Sequence, residues 1–157
     1  MRIGTGFDVH PFEEGRKLIL GGTLFDGATG LAGHSDGDAL THAVIDALLG
    51  AAALGDIGSH FPSSDEGLRN ADSIELLKQV VKLIAAAGCR IINVDTTVIA
   101  QTPRMAPHVA EMRRRLASAL AVDLGAVSVK ATTTDGLGFT GRGEGIAVQA
   151  IALLEDA

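Results

Sequence analysis

Apolar and polar positions alternate over residues 2–10, RIGTGFDVH. A strand there places Ile3, Thr5, Phe7 and Val9 on one face and Gly4, Gly6, Asp8 and His10 on the other. Lys17 to Leu20 predicts a second short strand closed by Gly21 and Gly22. Thr23 to Phe25 can pair with it, with Asp26 and Gly27 as a turn. The period then changes. After the polar stretch His34-Ser35-Asp36-Gly37-Asp38, the run Ala39 to Leu54 is apolar except at Thr41, His42, Asp46 and Gly50, which is long enough for a helix and too long for one strand. Ser35 and Asp38, three apart, predict a capping-box-like start. Leu40, Val44 and Leu48 make one stripe of this helix, and Asp38, His42 and Asp46 another.

Residues 55–65 carry small, polar and turn-forming side chains and predict a loop. Asp72 or Ser73 can cap a second helix that runs to about Ala87 and stops at Gly88, with Leu76, Leu77, Val80, Val81 and Ile84 inward and Glu75, Lys78 and Lys82 solvated. Ile91 to Ala100 predicts a strand. Pro103 and Pro107 keep the next segment a loop. A third helix is expected over about His108 to Ala121, its Arg113-Arg114-Arg115 run reading as a solvated face. Val127 to Thr134 predicts a strand, 135–145 a glycine-rich loop, and Ile146 to Leu154 a last strand buried on both faces and suited to an oligomer core. The order ββααβαββ predicts an α+β single domain over residues 1–157: a mainly antiparallel, mixed sheet with helices on one face.

Composition sharpens this. Hydrophobic residues are 46% of the 157 positions, yet Trp and Tyr are absent. A mean hydropathy of +0.29 is high for so small a chain and predicts an oligomer interface. The net charge of −6 argues against a nucleic-acid partner. Cys89 is the sole cysteine, so no intrachain disulfide can form and a reducing compartment is favoured. The N-terminus lacks a signal-peptide apolar region, and Asp46 interrupts the best candidate for a membrane span. A cytoplasmic protein is expected, or a plastid one if a transit peptide has been removed.

His42 sits within an apolar helix, where an unpartnered polar group is costly. Its partner is Asp38 or Asp46, a metal, or a ligand. Asp8 and His10 project from one strand face, either as a surface pair at a strand end or, with His42, as a donor set that suits a catalytic Zn²⁺ with one position left open; Mn²⁺ or Fe²⁺ tolerates the same donors. His34 and Ser35 at a helix N-terminus, and the strand end Lys130 to Asp135, suit a polyanion. The TGRGEG string at 140–145 is no P-loop, and no nucleophile elbow or reactive-cysteine setting occurs, which disfavours NTPase and covalent chemistry.

An ordered set of motifs resembles one family end to end: GFDVH at 6–10, HSDGD at 34–38, His42, GDIG at 55–58, FPSSD at 61–65, ATTT at 131–134 and LGFTGRGEG at 137–145. The family is 2-C-methyl-D-erythritol 2,4-cyclodiphosphate synthase of the methylerythritol phosphate pathway. The resemblance implies a metal-dependent phosphorus–oxygen lyase that closes 4-diphosphocytidyl-2-C-methyl-D-erythritol 2-phosphate into a cyclic diphosphate and releases CMP. It implies a homotrimer with active sites shared between subunits. Asp8, His10 and His42 match the zinc ligands, and a second ion, Mg²⁺ or Mn²⁺, sits on the diphosphate. His34 and Ser35 match positions beside the phosphates, His34 and Thr133 being catalytic, with Thr133 a polar contact in the transition state. Asp56, Ile57, Gly58, Phe61, Ser64 and Asp65 match the methylerythritol pocket. Ala100, Thr102, Pro103, Arg104, Met105 and Ala106, with Thr132, Thr133 and Thr134, match the cytidine side. Phe139 and Arg142 match positions near the trimer axis, where an isoprenoid phosphate is a candidate ligand; a cytidylyltransferase is a candidate partner. Three positions depart from the family pattern: Asp135 replaces a frequent Glu ligand of the second ion, Arg104 a common Lys, and Ser63 a frequent Asp. Two other readings stay open, a zinc-dependent phosphodiesterase or pyrophosphatase, and a non-catalytic isoprenoid-phosphate-binding protein.

Overall fold

A computed structural model describes residues 1–157. The opening alternation runs further than predicted: one strand, β1 (Arg2–Leu20), replaces the two expected segments. Its first part, Arg2 to Pro11, pairs antiparallel with the last strand, β5 (Gly145–Asp156), and its second part pairs from Phe12 to Leu20 with β2 (Thr23–Leu31). The register shifts between Glu13 and Lys17, around Gly15 at φ 81°. A glycine takes that conformation without strain, so the chain bulges there and continues as strand. Gly21 and Gly22, at φ 54° and 69°, make the tight turn into β2. Asp26 and Gly27, expected as a turn, lie within β2.

The sheet is completed by β3 (Cys89–Ile99) and β4 (Val127–Thr132), in the order β2-β1-β5-β3-β4, with only β3 and β4 parallel. Three longer helices, α1 (Ala39–Ala51), α3 (Ser73–Ala86) and α4 (Val109–Leu120), pack on one face. Single turns α2 (Ile57–His60) and α5 (Gly138–Gly141) form within stretches expected as loops. Arg113 departs from the solvated run predicted for it: it donates to the carbonyls of Val127 (2.7 Å) and Leu124 (3.0 Å), fastening α4 to the start of β4.

Helix α1 is the centre of the core, with Leu40, Val44 and Leu48 wholly buried. It lies so close to β1 that a β carbon on Gly4 would stand 2.1 Å from the Ala47 carbonyl oxygen, and one on Gly6 would stand 1.9 Å from that of Ala43. The glycines of the first strand are therefore the contact surface for a helix backbone. The start of α1 also differs from the expected capping box. Asp38 alone caps it, accepting from Thr41 N (3.0 Å) and Thr41 Oγ1 (2.7 Å), and also from Gly21 N (2.8 Å) and Gly22 N (2.7 Å). The Ser35 hydroxyl lies instead against His42. Strand β5 buries Ile146, Val148, Ala150, Ala152 and Leu154 against the helices but exposes Gln149 and Ile151. Burial on both faces is thus not met within one chain, because the opposite sheet face, with Ile3, Phe7 and Val9 of β1, carries no covering element.

Candidate metal and phosphate site

The glycine-faced contact between β1 and α1 sets the geometry of the site. Asp8 and His10 follow Gly4 and Gly6 on the same face, and His42 leaves α1 toward them. Asp8 Oδ2 lies 2.8 Å from His10 Nε2 and 3.1 Å from His42 Nδ1, and the two ring nitrogens are 3.2 Å apart. A tetrahedral zinc with bonds of about 2.0–2.1 Å spaces its ligand atoms by roughly 3.3 Å. The trio therefore fits such an ion, and it forms a metal-competent group in this fold.

Each imidazole is held from behind. His10 Nδ1 lies 2.5 Å from the Ala32 carbonyl oxygen, which can only accept, so Nδ1 carries a proton and Nε2 is the nitrogen that faces the shared centre. Gly33 gives this ring its space, since a β carbon there would lie 3.3 Å from His10 Cε1. His42 Nε2 lies 2.9 Å from Ser73 Oγ and 3.1 Å from Ser35 Oγ. Neither Asp38 nor Asp46 bonds His42, although all three share a helix stripe. Asp38 is spent on the Gly21–Gly22 turn and its own helix, and Asp46 accepts from Ile57 N at 2.7 Å.

Burial pushes the Asp8 carboxyl upward, but hydrogen bonds and charge from His10 and His42 outweigh it and hold Asp8 well below the usual carboxylate range. Burial pushes His10 down, and Asp8 more than reverses this, so His10 is raised. Asp8 thus carries the negative charge of the group, which favours a cation beside it, a proton shared with His10 or a metal ion. Burial raises the Asp46 carboxyl, against the opposing Ile57 N–H bond, with the charges of Asp56 and Asp8 adding to the rise.

A cavity of about 270 Å³ opens beside the trio and is lined by His34, Ser35, Ile57, Gly58, Phe61 and Ser63 among others. Asp46 holds the Ile57 backbone to α1, and Asp56 caps α2 by accepting from Ser59 N at 2.8 Å. His34 Nε2 bonds the Asp65 carbonyl oxygen at 2.8 Å, joining the two loops that wall the cavity. Asp56, Ser64 and Asp65 do not line it.

The residues expected on the cytidine side lie elsewhere in the same chain. Ala100 N bonds the Thr132 carbonyl oxygen (3.0 Å) where β3 and β4 end. Thr102 and Pro103 line a different cavity of about 550 Å³, and Met105 is buried. Thr133 Oγ1 donates to Asp135 Oδ1 at 3.3 Å, and Thr134 Oγ1 to the Leu137 carbonyl oxygen at 2.5 Å. Arg142 pairs with Glu144 at 2.6 Å, and Phe139 is exposed. None of these, nor Arg104 or Ala106, lines the cavity of the trio. Sequence reasoning missed the Ala32 carbonyl, Ser73 as a partner of His42, and Leu68 and Leu76 in the cavity wall. A carbonyl has no side-chain signature, and Ser73 reads as a helix cap.

A family model described as the YgbB family matches residues 1–155. A 2-C-methyl-D-erythritol 2,4-cyclodiphosphate synthase of Syntrophomonas wolfei subsp. wolfei is 56% identical over 157 residues, covering 100% of both chains. The solved bifunctional IspDF of Campylobacter jejuni superposes with a TM-score of 0.96 at 45% identity, over 99% of this chain and 42% of that one. IspF of Plasmodium falciparum in a CDP complex superposes with a TM-score of 0.86 at 33% identity, over 99% of this chain and 96% of that one.

Proposed function

The chain belongs to the YgbB family, and from that premise we infer that it is a phosphorus–oxygen lyase of isoprenoid precursor synthesis. It converts 4-diphosphocytidyl-2-C-methyl-D-erythritol 2-phosphate to 2-C-methyl-D-erythritol 2,4-cyclodiphosphate and CMP. The observation that carries the chemistry is the convergence of Asp8, His10 and His42 on one point beside a cavity.

In the reaction an oxygen of the 2-phosphate attacks the β-phosphorus, and the bond from that phosphorus to the bridging oxygen breaks as CMP leaves. Both reacting groups belong to one molecule, so the protein's task is to fold the substrate and disperse charge. Positioning of this kind contributes up to roughly 7–11 kcal/mol in favourable intramolecular cases. Asp8, His10 and His42 would hold Zn²⁺, which supplies polarisation of a phosphoryl oxygen when bound. Ser35 and His34, which line the cavity, take the phosphates, with His34 fixed through Asp65. Ile57, Gly58 and Phe61 seat the methylerythritol carbons, with Asp56, Ser64 and Asp65 behind them. A second divalent ion, Mg²⁺ or Mn²⁺, falls to Asp135.

The same reading includes a homotrimer whose neighbouring subunit supplies Ala100 to Ala106 and Thr132 to Thr134 to each site, with Thr133 at the transition state. Two features support it. Those residues stand away from the trio's cavity in their own chain, and the open sheet face leaves Ile3 71% and Phe7 60% exposed. Phe139 and Arg142 would then face the axis, with an isoprenoid phosphate as ligand. A cytidylyltransferase partner belongs to this reading, the Campylobacter jejuni relative being bifunctional. So does a cytoplasmic location; no helix is long and apolar enough to cross a membrane. The test is ³¹P NMR of the products made by metal-loaded protein. Cyclic diphosphate and CMP are expected, with both lost in His42→Ala. Linear phosphates as the products, or undiminished turnover in His42→Ala, would reject the cyclase.

A further inference from the structure

The two imidazoles of the trio differ in what holds their outer nitrogens. His10 meets a carbonyl, which can only accept. His42 Nε2 meets two hydroxyls, Ser73 Oγ at 2.9 Å and Ser35 Oγ at 3.1 Å, and a hydroxyl can give or take a proton. Which of the two fixes His42 follows from what lies behind each.

Ser73 is wholly buried at the start of α3. Its hydroxyl lies 2.5 Å from Asp36 Oδ1, and its backbone N–H donates to Asp36 Oδ2 at 3.0 Å. Asp38 N–H also donates to Asp36 Oδ1, at 3.1 Å. Three donors therefore converge on this one carboxylate, which commits the Ser73 hydroxyl proton to Asp36. Only the Ser73 lone pair is left for His42, so the proton between them sits on His42 Nε2. Ser35 has no such commitment. Its other neighbour is Gly37 N at 3.5 Å, itself a donor, and Ser35 is among the residues that line the cavity.

We propose that Asp36 and Ser73 are the positioning pair of the metal site. Together they fix the ring orientation of His42 and hold a proton on Nε2, so that Nδ1, beside Asp8 and His10, is the nitrogen a divalent metal would take. Ser35 is thereby left free to give its proton to a phosphate oxygen of the substrate. This rests on the reading of the trio as a divalent-metal site. The geometry divides labour between two serines that stand at nearly equal distances from the same nitrogen.

The experiment titrates metal-free protein with Zn²⁺ against a chromogenic chelator, and records the imidazole N–H signals of the zinc-loaded protein by ¹H–¹⁵N NMR. Wild type is expected to show His42 protonated on Nε2 with slow exchange. Ser73→Ala is expected to bind Zn²⁺ about 10–100-fold more weakly and to lose that protected proton, while Ser73→Thr restores both. Ser35→Ala is expected to keep both. Melting of each metal-free variant reports whether it folds, and the wild-type spectrum decides the assignment without any variant. Zinc affinity unchanged in Ser73→Ala, protection lost in Ser35→Ala instead, or wild-type His42 protonated on Nδ1 would each overturn the proposal. A wild-type protein that binds no Zn²⁺ overturns the metal reading, and the positioning pair with it.

Discussion

Replacing Gly6 by Ala adds one methyl group at the point where β1 and α1 touch. The new β carbon would lie 1.9 Å from the Ala43 carbonyl oxygen and 2.8 Å from Ala47 N, both backbone atoms that no rotamer change can move. An ordinary carbon–oxygen contact is about 3.4 Å, so strand and helix must part by roughly 1.5 Å. Overpacking costs typically 1–3 kcal/mol, and a clash with helix backbone belongs at the upper end. At about 2–4 °C per kcal/mol for a chain of this size, thermal melting of metal-free protein should fall by roughly 6–12 °C. The same parting carries Asp8 and His10 away from His42. Metal sites tolerate errors of only about 0.2 Å in ligand distance, so zinc affinity should drop in parallel. Gly50→Ala is the control. It lies on the same helix, and its β carbon would meet only the Thr5 carbonyl oxygen, at 3.9 Å. Removing this helical glycine should raise stability by up to about 0.5–1 kcal/mol and leave zinc binding unchanged. A Gly6→Ala protein that melts and binds zinc like wild type, or a Gly50→Ala protein destabilised to the same extent, would mean that this contact does not set the strand–helix spacing.

Asp38→Ala strips the acceptor from three backbone N–H groups and the Thr41 hydroxyl. At about 1–3 kcal/mol for each buried donor left unsatisfied, a loss above about 3 kcal/mol is expected in urea unfolding; a loss below 1 kcal/mol would contradict it. In metal-free protein, the depressed Asp8 stabilises above its ordinary value of 3.8, and the contribution is lost as pH falls through the lower folded value. The raised His10 stabilises fully below 6.5, and that contribution is lost as pH rises through its higher folded value. The wild-type advantage over His10→Gln in metal-free melts should therefore be greatest between these ordinary values and shrink at alkaline pH, while zinc affinity rises with pH as the ligands lose protons. Phe7→Asp places a charge on the open sheet face; on the proposed trimer reading wild type should sediment as three chains and this variant as fewer, whereas a variant of unchanged mass would place the interface elsewhere and a monomeric wild type would reject the trimer.

The trio was legible because residue type and period agree. Alternation puts Asp8 and His10 on a face cleared by glycines, and His42 is too polar for its helix to stand without a partner. What closes the site was not legible. Asp8 and His42 meet across 34 residues of sequence, and nothing local says that Asp38 and Asp46 turn elsewhere. Pro11, Glu13, Glu14 and Gly15 read as an end to the first strand, yet pairing with β5 and then β2 carries the backbone through them. Tertiary pairing overrides local preference at such places. The assignment of Ala100 to Ala106 and Thr132 to Thr134 to a cytidine side rests on motif alone, since none of them lines the trio's cavity in this chain.

On the proposed reading, one acid and two imidazoles hold a single cation beside the reacting diphosphate. An anomalous difference map at the zinc edge, from crystals of the zinc-loaded protein, tests this most directly. One strong peak per chain is expected, bonded to Asp8, His10 Nε2 and His42 Nδ1 at about 2.0–2.2 Å. No peak at those three atoms, or zinc bound at other residues while the protein still forms the cyclic diphosphate, would contradict it.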